Sequence, residues 1–174
     1  PTTIVDKTHF VKGNQSIEKA FFYGDDDYEN NLLALCEPTP KLDMPLLMGH
    51  YFFLGNENHL QNHFSELIEE EEYIETIKNT KYLLTASLNA AIESLECGNN
   101  PVLLLRADKS YDEEIISKLN IPTINVGNLE ENINEFNELC NTKLEYGKIE
   151  EFNLEPIIDE INKKIEVFNK LNPA

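Results

Sequence analysis

The sequence predicts an α/β fold with a parallel sheet covered by helices on both faces. Two observations carry this. Short apolar runs alternate with helical segments from residue 19 to residue 141, the order that builds βαβ units. The central runs, YLL at 82–84 and VLLL at 102–105, are continuous rather than alternating, as strands buried on both faces are. Length agrees: 174 residues suit one domain.

The elements follow in order. Residues 1–18 lack a sustained period and read as a leader or linker, with a short strand at 3–5. Residues 19–24, KAFFYG, form a buried strand ended by Gly24 and three aspartates. Leu32, Leu33, Leu35 and Cys36 then share a helical face over 28–37, which Pro38 stops. Residues 44–55 read as a strand broken at Gly49 or Gly55, 58–63 as a short helix, and 64–68 as another strand. The acidic run at 69–72 precedes a helix over 73–79, near its positive end.

The middle of the chain is the clearest. KYLLTAS (81–87) is a strand, and residues 88–98 are a helix stopped by Gly98. Residues 99–106 turn into an apolar strand. Residues 110–120 form a helix whose Ser110 and Glu113 have capping-box spacing. Residues 121–127 are a final strand, and 128–141 and 156–171 are helices. The last carries a stripe of Ile157, Ile158, Ile161, Ile165 and Phe168, whose plainer role is to pack on the domain's own sheet and whose alternative is to reach another domain. The sum is a Rossmann-like three-layer sandwich over residues 19–174.

Composition narrows function. Fourteen basic against 32 acidic side chains give a net charge of -18, which argues against nucleic acid and anionic membranes as partners. No apolar run is long enough to span a bilayer. The cysteines, Cys36, Cys97 and Cys140, are odd in number and widely spaced. They imply reduced thiols and a cytoplasmic setting, not a disulfide framework or a metal clip. Cys97 reads as a small buried hydrophobe.

In an open parallel sheet, ligands bind beyond the carboxyl ends of the strands. The turn at 85–89 is the most informative such position. Small and hydroxylated residues there open a helix directly, and unpaired N–H groups at a helix start favour anions. Glu93, one to two turns along, is placed to accept hydrogen bonds from a ribose diol. Arg106, the sole arginine, leaves the next strand in reach of a phosphate. The plainer reading makes Ser87 an ordinary N-cap and Glu93 a solvated residue.

Other clusters have competing readings. Asp25, Asp26 and Asp27 fit a turn that caps the next helix. The alternatives are a magnesium-holding receiver site and an Asp-x-Asp motif. His59 and His63 share a helical face and with His50 make a weak zinc set; a surface role is the simpler reading. The phenylalanines and tyrosines at 21–23 and 51–53 belong to the core by default, though those at 51–53 also suit a face toward another domain.

The stretch from Thr85 to Ile124 resembles the nucleotide-binding segment in the C-terminal domain of GT-B fold glycosyltransferases. The carriers are Ser87, Glu93, Gly98, Pro101 and the apolar run at 102–105. Residues 19–35 resemble that domain's first strand, glycine loop and helix, PLLMG its second strand, and 64–87 the strand and helix leading to the nucleotide turn. The resemblance covers about residues 19–135 and is nearest to a UDP-sugar hydrolase and a lipid-linked N-acetylglucosaminyl transferase. It implies a single GT-B half-domain that binds a UDP-sugar in surface-glycan synthesis. Glu93 would take the ribose, Ser87, Leu88 and Asn89 the diphosphate, Gly24 the loop approach, and backbone near Ile68 the uracil; Arg106 would neutralise a phosphate. No cofactor or metal is implied. A separate domain or subunit would carry the acceptor. The alternative is a non-catalytic interaction module that keeps the fold without the ligand.

Overall fold

A computed structural model describes residues 5–50, 56–149 and 155–171. Six parallel strands form one sheet: β1 (Ile17–Phe22), β2 (Leu46–Leu47), β3 (Leu67–Ile68), β4 (Thr80–Thr85), β5 (Asn100–Leu105) and β6 (Thr123–Asn125). Their order across the sheet is β3-β2-β1-β4-β5-β6, the doubly wound order whose direction of growth reverses between β1 and β4. Register is set there by Ile17 opposite Thr80 through Phe22 opposite Thr85.

The period-two geometry of a strand divides neighbouring side chains between two faces. Phe21, Leu46, Leu84, Val102, Leu104 and Ile124 fall in one apolar cluster with Leu32 and Cys36 of α1 (Asn31–Cys36), Leu60 of α2 (Asn56–Gln61) and Ile133 and Phe136 of α6 (Leu129–Cys140). Ala20, Phe22, Leu47 and Leu83 face the other way. There they meet Ile77 of α3 (Tyr73–Asn79) and Ala90 of α4 (Leu88–Glu96). Leu103 joins Ala91 and Ile92 of α4 and Leu119 of α5 (Glu113–Leu119) on that same side. This is the three-layer sandwich, and it explains why the central strands are apolar at every position.

Several boundaries differ from expectation. β1 starts inside the segment read as a leader, and Phe10 of that segment is buried against Ile77 and Leu83. The segment is tied down because Gly13 lies against Lys78 and Asn79, and Gln15 donates to Asn99 Oδ1 at 3.0 Å. β2 and β3 pair over two residues each. Residues 3, 4 and 51–55 of the expected strands, with Tyr51, Phe52, Phe53 and Gly55, lie outside the described residues. α5 starts at Glu113, with Asp112 accepting from the Ile115 N–H at 3.1 Å. A closer carboxylate thus takes the capping job expected of Ser110. Gly98 does end α4, with φ at +76°.

The last helix, α7 (Glu155–Leu171), does not return to the sheet over the part whose side chains are described. Residues 162–171 are exposed, and Ile165 and Phe168 are 51% and 64% accessible. Ile157, Ile158 and Ile161 lie outside that part. No described helix is long and apolar enough to cross a membrane.

Candidate functional site

The loops at the carboxyl ends of β1, β2, β3 and β4 meet at the point where strand order reverses. Gly24 and Gly49 touch backbone to backbone there: a Cβ on Gly49 would sit 2.2 Å from the Gly24 carbonyl oxygen. The His50 N–H donates to Asp25 Oδ1 at 3.0 Å, and the His50 ring lies 2.7 Å from Glu70 Oε2. Glu70 belongs to a 3-10 turn, Glu70–Glu72, between β3 and α3. Side chains therefore pin three successive loops into one wall.

The facing wall is the start of α4. Thr85 Oγ1 accepts from the Ser87 N–H at 3.1 Å, and Ser87 Oγ accepts from the Ala90 N–H at 3.2 Å. The N–H groups of Leu88 and Asn89 have no carbonyl four residues back within the helix. Between the walls lies a cavity of about 840 Å³. Ser87, Leu88, Asn89 and Glu93 line it from α4, Tyr73 and Ile74 from α3, and Asp112 and Ile115 from the start of α5. Val5, Asp25, Met48, His50, Glu70 and Glu71 complete the lining.

Glu93 is the central polar group. The Tyr73 hydroxyl donates to its Oε1 at 2.5 Å. Burial raises its pKa above the ordinary carboxylate value, the Tyr73 hydrogen bond lowers it, and Asp25 and Asp6 raise it; the net shift is upward. The Tyr73 phenol is itself raised, by burial first and by Glu93 next, so it stays protonated and donates.

The three aspartates after β1 have three separate partners. Asp25 faces the cavity. Asp27, 5% exposed, accepts from the Asn31 and Leu32 N–H groups at 2.8 and 3.0 Å and so satisfies the first turn of α1. This is the capping reading of the cluster, with a buried carboxylate rather than a solvated one. Asp26 takes Arg106 Nη1 at 2.6 Å and Lys109 Nζ at 3.1 Å.

Arg106 accordingly stands apart from the cavity. Its guanidinium is engaged on both sides, with Nε and Nη2 on Asp108 at 3.0 and 2.6 Å and Nη1 on Asp26. It lies over the Tyr23 ring at 4.8 Å from the centroid. The desolvated cation needed carboxylates, and they are supplied by Asp26, eighty residues away in sequence, and by Asp108. Of the residues singled out from sequence, Ser87, Leu88, Asn89 and Glu93 thus come together in one cavity; Arg106, Gly24 and Ile68 do not line it. Gly24 shapes the wall through its contact with Gly49. The Ile68 carbonyl accepts from the Met48 N–H at 2.9 Å within the sheet. Sequence reasoning did not reach Tyr73, Val5 or Asp112, and no local pattern marks them. Among the described residues no group of three histidine, cysteine or acidic side chains could hold a metal ion.

The fold and site define a doubly wound α/β domain with an acid-rich crevice at its switch point. No protein-family model, curated protein or solved structure matches the chain.

Proposed function

We propose that this chain binds a nucleotide sugar, with a uridine diphosphate sugar as the leading candidate, in the switch-point crevice. It would serve as the donor-side half of a GT-B type glycosyltransferase or nucleotide-sugar hydrolase, with the acceptor carried by another domain or subunit. One observation carries the reading: Ser87, Leu88 and Asn89 of the α4 start line the same cavity as Glu93. A diphosphate meets the helix start, and a ribose diol donates to Glu93. The cavity volume falls within the range of small-molecule sites.

The test is a calorimetric and thermal-shift titration with UDP, UDP-N-acetylglucosamine and CMP, with and without Mg²⁺. Ligand at 100 Kd stabilises a one-site binder by about 2.7 kcal/mol. Glu93→Ala removes a hydrogen-bonded charged acceptor, a loss of roughly 1.5–3 kcal/mol, and weakens binding at least about tenfold. Absence of saturable binding by any of the three at millimolar concentration refutes the proposal.

A second reading, an interaction module without a nucleotide, is favoured by a specific observation. Five carboxylates line the cavity, His50 is its one basic residue among the described lining, and Arg106 is committed elsewhere. In that case Glu93→Ala leaves nucleotide titrations flat in both proteins.

A further inference from the structure

We propose that Tyr73 is a positioning residue for ribose recognition: its hydroxyl holds one oxygen of Glu93 so that the other is presented to a vicinal diol. The inference rests on the nucleotide reading and narrows it to ribonucleotides over 2′-deoxyribonucleotides.

The Tyr73 hydroxyl lies 2.5 Å from Glu93 Oε1, and both residues line the cavity. The described residues place no hydrogen-bond donor on Oε2. The phenol ring is itself fixed. Phe10 meets it edge-on with centroids 6.4 Å apart, and Phe22 meets it at 5.2 Å and 64°. Phe10 comes from the N-terminal segment and Phe22 from β1, so the ring is clamped between two rigid parts of the domain. A carboxylate on a helix surface otherwise samples several rotamers, and binding then costs the entropy of choosing one. Here the choice is made before the ligand arrives.

The groups facing Glu93 have distinct effects. Asp25 from the loop after β1 and Asp6 from the N-terminal segment disfavour its charged form, and the Tyr73 hydroxyl favours it. Glu70, Glu71 and Asp112 share the cavity as further acids, with His50 as the basic member. Cys97 closes the same helix and stays a neutral thiol. Loss of the Tyr73 hydroxyl removes a hydrogen bond that favours the ionised carboxylate, so protonation of Glu93 moves to higher pH.

The experiment compares UDP with 2′-deoxy-UDP on the wild-type chain, Tyr73→Phe, Glu93→Gln and the double variant. Each is titrated from pH 5 to pH 8, with thermal melts to check folding. Tyr73→Phe keeps the ring and its packing. It should cut the preference for UDP over 2′-deoxy-UDP by about tenfold, the scale of one hydrogen bond to a charged group. It should also move the acid limb of UDP binding to higher pH. Added to Glu93→Gln it should no longer move the pH limb, since a carboxamide does not titrate between pH 5 and pH 8. A Tyr73→Phe chain that binds UDP with wild-type preference and wild-type pH limb overturns the positioning role and leaves the nucleotide reading standing. A wild-type chain that binds neither nucleotide overturns both.

Discussion

Replacing Arg106 by methionine tests what the sole arginine does. Its side chain is 2% exposed, while its partners Asp26 and Asp108 are 36% and 46% exposed. The partners keep much of their hydration, so their loss of the cation is milder than in a fully buried pair. Discounting charge-assisted bonds for that exposure leaves roughly 2 kcal/mol from the two ion pairs. The stacking on Tyr23 adds about 1 kcal/mol. Methionine fills much of the vacated volume, so lost packing contributes little. The sum, about 3 kcal/mol, lowers the melting temperature of a chain this size by roughly 6–12 °C. Urea unfolding at pH 7 and pH 3 measures the ionic part. The Asp108 carboxyl is held low by its hydrogen bonds from Arg106. Burial acts against Asp26, but hydrogen bonds from Lys109 and Arg106 outweigh it and hold its pKa low as well. Groups with depressed folded pKa values contribute stability that is present above the unfolded value, near 3.8. That stability is lost as pH falls through the folded values. The difference between wild type and Arg106→Met should therefore hold from pH 7 to about pH 4.5 and shrink below the ordinary aspartate range. A difference under about 1 kcal/mol at pH 7, or one unchanged at pH 3, refutes the ionic account.

Two further outcomes follow from packing and burial. Gly49→Ala places a Cβ 2.2 Å from the Gly24 carbonyl oxygen, a backbone atom that cannot step aside. It should cost about 2–3 kcal/mol and lower the melting temperature accordingly, and an unchanged melt shows that the two loops are not packed as described. The three thiols should resist a disulfide reagent at pH 8, because burial pushes Cys36 up to about 12 and Cys97 and Cys140 up to about 11. Thiol counting should find all three only after unfolding in urea, and rapid reaction of the folded chain contradicts their burial.

Much of the fold was legible because side-chain burial is written locally. β4 and β5 are apolar at successive positions since α4 covers one face and α6 the other. Gly98 marks the end of α4 because its φ of +76° suits glycine. Strand order was not legible, since pairing of β1 with β4 joins residues about sixty apart and leaves no mark in either run. β2 and β3 are fixed by backbone bonds over two residues each, too few to show a side-chain period. Half of the site was readable, because Ser87 to Glu93 lie on a single helix start. The other half was not. Tyr73 reaches Glu93 from the preceding helix, and Phe10 braces it from a segment with no period of its own. The arginine misled for a related reason: its carboxylate partner Asp26 sits on a different strand end, and only the fold brings them together.

The division of labour among the three aspartates bears on how any nucleotide would be held. Consecutive residues leaving a strand point in different directions, so Asp25 enters the cavity, Asp26 turns to Arg106 and Asp27 turns under α1. The chain's strongest phosphate-binding side chain is thereby consumed in joining the loops after β1 and β5. What remains for a diphosphate is the start of α4, whose partial charge amounts to about half a unit. It faces a lining that includes Asp25, Glu70, Glu71 and Asp112. Repulsion between exposed charges falls within about 10 Å at 0.1 M salt. In the nucleotide reading, then, phosphate charge contributes little to affinity. The ribose at Glu93, and apolar contacts with Val5, Ile74, Leu88 and Ile115 of the lining, would then supply most of it, and the orientation of that carboxylate by Tyr73 would weigh accordingly.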